Sequence, residues 1–162
     1  MATDIFLKLG DKIKGESIDA EHKDKIDVLA WSWGASQSGT THMGTGGGSG
    51  KVSIQDLNFT KYVDISTADI LKALSSGDHI PNATLYVRKA GGTKPLTYYQ
   101  IDMEEVLVSS YSTGSSTGDD RFTENISLNV ARFRITYKRQ DEKGGQAGQV
   151  QAGWDIPKNE AW

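Results

Sequence analysis

Cysteine is absent from this chain of 162 residues. That excludes a disulfide framework, thiolate chemistry and a zinc ribbon. An excess of basic charge is missing too. The chain has 18 Lys and Arg against 21 Asp and Glu, a net charge of −3, whereas a nucleic-acid binder normally shows a basic face. No segment is long and apolar enough to cross a bilayer. A secretory signal is lacking as well. Asp4 sits where a basic n-region belongs, and Lys8 interrupts the only apolar run near the start. The expectation is one domain over 1–162, made in the cytosol, not exported by the general secretory route and without a cofactor. A domain of about 150 residues buries roughly 70% of its unfolded surface, so the core can stand without staples.

Catalytic constellations are also missing. His22, His42 and His79 sit in separate polar stretches and none has a second ligand at a metal-site spacing, so they read as solvated loop histidines. Asp102 and Glu104 share a strand face next to Glu105, but a solvated acidic face explains them better than acid–base chemistry. Gly114-Ser115-Ser116-Thr117-Gly118 matches the nucleophile elbow by letters only. A strand follows it where a helix is required, and no histidine lies beyond His79. Gly50-Lys51 fails as a phosphate loop, because Thr45 replaces the first glycine and Val52 the hydroxyl residue. Asn58-Phe59-Thr60, Asn82-Ala83-Thr84 and Asn125-Ile126-Ser127 fit the glycosylation pattern, which has no use without a signal peptide.

What is present is organised around Asp27 to Lys51. Ile26 to Trp33 alternates with period two, which predicts a strand. Trp31 and Trp33 pack inward on this reading, and Ser32 faces out with Ala30, Val28 and Ile26. Such a face is apolar for solvent. The strand is then either a self-association surface or buried on both sides. From Gly34 to Gly50 the chain has no periodicity, and it becomes a long glycine-rich arm before a strand over Lys51 to Tyr62. Other strands are expected at Ile5 to Leu9, Thr84 to Lys89, Tyr98 to Ser110, Phe122 to Lys138 and Trp154 to Ile156. Polar surface loops are expected at Gly10 to Lys25, Ser112 to Asp120 and Gln140 to Val150. Ser66 to Ser76 reads as the one helix, capped by Ser66 or Thr67, with an Ile70, Leu71, Leu74 stripe and a stop at Gly77. The three longest strands change phase midway, near Gln55–Asp56, between Met103 and Val106, and between Val130 and Phe133. A bulge or corner does this, and curved sheets follow. The fold class is therefore mainly β: a small barrel of two curved antiparallel sheets, one flanking α-helix and a long extended loop.

Several segments, taken in order, resemble the haemolysin co-regulated proteins, Hcp, of the bacterial type VI secretion system. They are DIFLKLGDKIKGES, IDVLAWSWGASQSG, GGGSGKVSIQDLNFTKYVD, STADILKALSSGDHI, LYVRKAGG, EEVLVSSYSTG and TENISLNVARFRITY. The resemblance runs from Asp4 to about Asn159. Ala35 to His42 and the tail after Gln140 match least well. It implies hexameric rings stacked into a tube inside a contractile sheath, tipped by a spike of VgrG type, with effectors carried in the lumen. It implies assembly in the bacterial cytoplasm, then secretion into the medium or a target cell, without membrane insertion or nucleic acid. It also implies a structural protein, not an enzyme.

Carried onto this chain, the resemblance puts Ser32 of the WSWG motif on the lumen. The extended loop, about 37–51, supplies protomer and ring contacts through Thr41, His42, Met43, Gly46, Gly47 and Gly48. The RKAGG turn (Arg88, Lys89, Gly91, Gly92) and Trp154 and Pro157 are candidate ring-to-ring contacts. From the residues alone, a monomeric β-barrel module that binds a sugar or peptide through the arm is the alternative.

Overall fold

The computed structural model describes residues 2–39, 51–89, 94–143 and 145–162. Its strands are β1 (Thr3–Leu9), β2 (Ile26–Asp27), β3 (Ala30–Ser32), β4 (Ala35–Ser36), β5 (Ser53–Ile54), β6 (Leu57–Tyr62), β7 (Ile80–Lys89), β8 (Thr97–Gly114), β9 (Thr123–Gln140), β10 (Gln146–Asp155) and β11 (Glu160–Ala161). The helix α1 is Ser66–Ser76. Nine strands form one antiparallel sheet in the order β11-β10-β9-β8-β7-β1-β2, with β6 on β9 and β3 on β6; β4 and β5 pair separately.

The sheet bends along one line. Ile80 pairs with Val106 and Asn82 with Glu104, so Pro81 stands opposite Glu105. Glu104 pairs with Arg132 and Val106 with Val130, so Glu105 also stands opposite Ala131. Glu105 adopts φ 52°, the left-handed region. That conformation turns the strand by half a period, and the buried set moves from Ile101 and Met103 to Val106 and Val108. On β9 the core side passes from Ile126, Leu128 and Val130 to Phe133 and Ile135. The expected phase changes in β8 and β9 are therefore one corner, which also crosses β7 at Pro81. Beyond it β9 is flanked by β10, and before it by β6.

The stretch Ile26 to Trp33 turns the same kind of corner. Ile26 and Val28 are buried, Leu29 is 46% exposed, and Ala30 and Ser32 face out. Ile26 and Val28 therefore do not share the face of Ser32, as the alternation implied. The stretch changes neighbour as well: Val28 N–H donates to Ile5 O at 3.0 Å, and Leu29 N–H to Thr60 O at 2.8 Å. Between β2 and β3 the ladder breaks, so the curved sheets are not closed into the barrel expected from the sequence. Gln55–Asp56 likewise separates β5 from β6.

Two other expectations change. Gln146–Asp155 is one strand, where a polar loop was expected to Val150 and a short strand only from Trp154. Gln146 to Ala152 are all exposed, so β10 is held by its ladder on β9 and leaves no apolar alternation to read. The cap of α1 is Asp64: its Oδ1 accepts from Ser66 N–H at 2.8 Å, while Asp64 N–H donates to Thr67 Oγ1 at 3.2 Å. Gly77 ends the helix at φ 69°, its N–H on Ala73 O, as expected. α1 buries Ile70 and Ala73 against the core, and Leu71 stays at the surface.

Candidate functional site

Below the corner, β3, β6, the first half of β9 and the second half of β8 lie side by side. Their registers align in rows. Ser32 faces Asn58, Asn58 faces Ser127, and Ser127 faces Ser110. The next row is Ala30, Thr60, Asn125 and Ser112. These side chains share the outer face because strand residues alternate with period two. The opposite row, Trp31, Phe59, Ile126 and Tyr111, packs on or into the core. One face is therefore apolar and buried, the other a run of hydroxyls and amides.

The polar face is cross-linked within itself. Ser127 Oγ donates to Asn58 Oδ1, and Thr60 Oγ1 to Asn125 Oδ1 at 2.7 Å. A third row carries, among the described residues, the one charge joined to this network, Asp56, whose backbone oxygen accepts from Asn58 Nδ2. It accepts from Ser109 Oγ at 2.6 Å and from Asn129 Nδ2 at 2.9 Å. Pairs of this kind fix strand register and leave few unpaired donors to grip a passing chain.

Both edges of this four-stranded region are open among the described residues. β7 pairs with β8 only as far as Val106, so Leu107 to Gly114 have no strand on the side away from β9. β3 pairs on one side only, with β6. The β8 edge carries Ser109, Ser110, Ser112 and Thr113, with none of the Lys or Pro that blunts an edge against pairing. A second exposed feature is the β9–β10 hairpin, where Tyr137 (45% exposed) faces Val150 (67% exposed).

Ser32 is thus placed as expected, on an exposed strand face. Asn58, Thr60, Asn125 and Ser127 complete that face and were passed over as two unused glycosylation patterns. The readable signal is the spacing: Asn-x-Thr and Asn-x-Ser on a strand put both polar groups on one side.

The other nominated residues lie elsewhere. Arg88 and Lys89 end β7, opposite the far half of β8. Arg88 is 5% exposed. It donates from Nη1 to Asp19 Oδ1 at 3.0 Å and from Nη2 to Asp19 Oδ2 and Asp4 Oδ2. Asp19 hydrogen-bonds to it and so holds its guanidinium above the usual range, and Arg88 in turn brings the Asp19 carboxyl down to about 2. Lys89 Nζ donates to Gln140 Oε1 at 2.9 Å. Trp154 is half-buried in β10 opposite Phe133, and Pro157 is exposed in the turn before β11. Thr41, His42, Met43, Gly46, Gly47, Gly48, Gly91 and Gly92 lie outside the described residues.

The buried polar groups depart from the sequence expectation at His22 and add a pair it does not show. His22 is 5% exposed, not solvated, and stacks on Phe6 at 4.4 Å. Lys61 and Glu124 are fully buried, and nothing in their flanking residues marks them. Asp102 accepts from Thr84 and Gln100, and Glu104 pairs with Arg132, so this carboxylate pair is engaged in the sheet. Among the described residues no three His, Asp or Glu converge as for a metal ion, and no helix is long and apolar enough to cross a membrane.

Comparison with known proteins follows this geometry. Residues 6–137 match the family described as type VI secretion system effector, Hcp. The chain is 55% identical over 160 residues to protein hcp1 of Pseudomonas aeruginosa strain PAO1, covering 98% of each. A solved structure of a type six secretion system protein superposes with a TM-score of 0.91 at 32% identity, over 99% of this chain and all of that one. The crystal structure of Hcp1 from Salmonella typhimurium gives 0.81 at 36% identity, over the full length of both.

Proposed function

Because the chain belongs to the Hcp family of the type VI secretion system, we propose that it is the subunit of a hexameric ring whose lumen is the Ser32–Asn58–Ser127–Ser110 face. Rings stack into a tube that a contractile sheath encloses and a VgrG-type spike tips, and effectors ride inside. The tube is assembled in the bacterial cytoplasm and secreted whole. The role is structural and needs no cofactor.

The observation that carries this reading is the four-stranded region. It has a polar, largely uncharged outer face and two free edges, one on each side. A protomer can then lay its β8 edge beside the β3 edge of the next, a heterologous contact that closes into a ring when the rotation per copy allows. Each copy adds four strands to a continuous inner wall. A wall whose groups are already paired among themselves holds cargo loosely, which suits a conduit. The arm, the RKAGG turn and the Trp154–Pro157 segment remain the proposed contacts between protomers and rings.

Size exclusion with light scattering tests assembly. Six copies of a 17.6 kDa chain have a mass of about 106 kDa, and a monomer at all salt concentrations would overturn the ring. Ser32→Gln tests the lumen. The larger amide is expected to leave the ring mass unchanged and lower effector co-purification; undiminished recovery of every effector with intact rings would remove Ser32 from the lumen.

A further inference from the structure

Gly10 to Lys25 is no free surface loop. Its second half folds back over the outer face of β1 and β7, and two anchors hold it there. One is Arg88 with Asp19. The other is His22. Its ring stacks on Phe6, lies 4.8 Å from the Tyr86 ring, and its Nδ1 accepts from Lys25 Nζ at 2.8 Å. Lys25 Nζ also sits over the Tyr86 ring at 4.2 Å. An ammonium has only donors, so this contact requires a bare Nδ1 and puts the ring proton on Nε2. Nε2 is buried and finds no partner among the described residues.

We propose that Glu16 to Lys25 is an acid-released strap, latched by neutral His22 between Phe6 and Tyr86. Protonation would turn Nδ1 into a donor facing the Lys25 ammonium, and would add a cation beside Lys25 and Arg88 in a buried site. The facing charges do not offset it. From the strap these are Asp19, Glu21 and Lys25; from β7, Arg88 and Tyr86; from β1, Asp4, with Lys8 near Lys25. Asp19 and Asp4 are committed to Arg88, and Glu21 is exposed, 3.8 Å from Arg88. Burial first, then Lys25 and Arg88, hold His22 below its ordinary value of 6.5, with Asp19 and Glu21 opposing.

The sign follows. The neutral ring contributes its stability above the unfolded value, and that contribution is lost as pH falls below 6.5 toward the lower folded value. The Asp19–Arg88 anchor weakens only below 3.8 and is lost near 2, so His22 lets go first and the segment swings away from Phe6 and Tyr86 about Asp19. The core stays closed, because Leu7 and Leu85 point away from the strap and are fully buried. Release uncovers the rings of Phe6 and Tyr86, so mild acid changes the outer surface and leaves the fold in place.

Hydrogen exchange on the assembled protein tests this, read by mass spectrometry at about pH 7.5 and about pH 5 and corrected for intrinsic rates. The amides of Gly15, Ser17 and Asp24 donate to carbonyls of the strap. Their protection is expected to fall on the order of tenfold in acid, while Leu85 stays protected. His22→Phe keeps a ring and removes the titration, so its strap protection should not depend on pH. Lys25→Met removes the donor to Nδ1 and one of the two cations that oppose protonation, so strap protection should be lower at neutral pH and its further loss in acid smaller than in the wild type. Unchanged wild-type protection at about pH 5, or equal acid loss in His22→Phe, would overturn the proposal.

Discussion

Glu124→Gln is expected to lower stability by about 3 kcal/mol, the low end for breaking a buried ion pair. Lys61 and Glu124 are both fully buried at the N-terminus of α1. Lys61 Nζ contacts Glu124 Oε1, Asp64 Oδ1 at 2.8 Å and Tyr62 O at 3.0 Å. Glu124 also accepts from Thr67 Oγ1 at 2.8 Å and from Tyr111 Oη at 2.6 Å. Burial, then that hydrogen bond, pushes the Tyr111 phenol up to about 12. The amide keeps the carboxylate's shape, so no cavity opens. Its oxygen can still serve Lys61 and Thr67, and Tyr111 can turn to accept from its nitrogen. What is lost is one negative charge beside a buried ammonium, with Asp64 alone left to balance it. In a domain of this size about 3 kcal/mol lowers Tm by about 9 °C. The assay is thermal and urea unfolding by circular dichroism at one fixed protomer concentration, since assembly also stabilises. The double variant Lys61→Met/Glu124→Gln removes the stranded cation and should regain at least half the loss. A single-variant cost under about 1 kcal/mol, or a double variant less stable than the single, would refute this account of the pair.

Two further outcomes follow from the geometry. Asp19 contributes stability above its unfolded value of 3.8, lost as pH falls through about 2; Asp19→Asn should remove that acid transition and speed trypsin cleavage at Lys23 and Lys25 at neutral pH. A Cβ at Gly153 would stand 2.5 Å from Trp162 O and 2.7 Å from Phe133 O, both backbone. Gly153→Ala should therefore cost about 1–3 kcal/mol and expose the C-terminal strand to carboxypeptidase, whose unchanged digestion rate would count against the contact.

The helix, the long strands and the positions of their phase changes were legible because burial on one face leaves a period in the chain. β10 was not, since a strand held only by its ladder needs no apolar alternation. The polar strand face was half legible. Ser32 stood out between two tryptophans, while Asn58, Thr60, Asn125 and Ser127 were hidden in a pattern with another meaning. Their common face appears only when β6 is laid beside β9 in register.

By itself the sequence determined the class, the single helix with its Gly77 stop, the absence of a thiol framework and, through ordered motifs, the family. These follow from local periodicity, backbone preference and residue identity. The tertiary structure alone decided that Pro81, Glu105 and Ala131 form one corner and that Ile26 and Val28 go inward while Ser32 goes out. It alone showed that Lys61 meets Glu124 in the core and that His22 lies under Lys25 between two rings. Each depends on partners far apart in the chain, brought together by strand register, and nothing in a residue's own neighbours encodes which distant charge or ring it will meet.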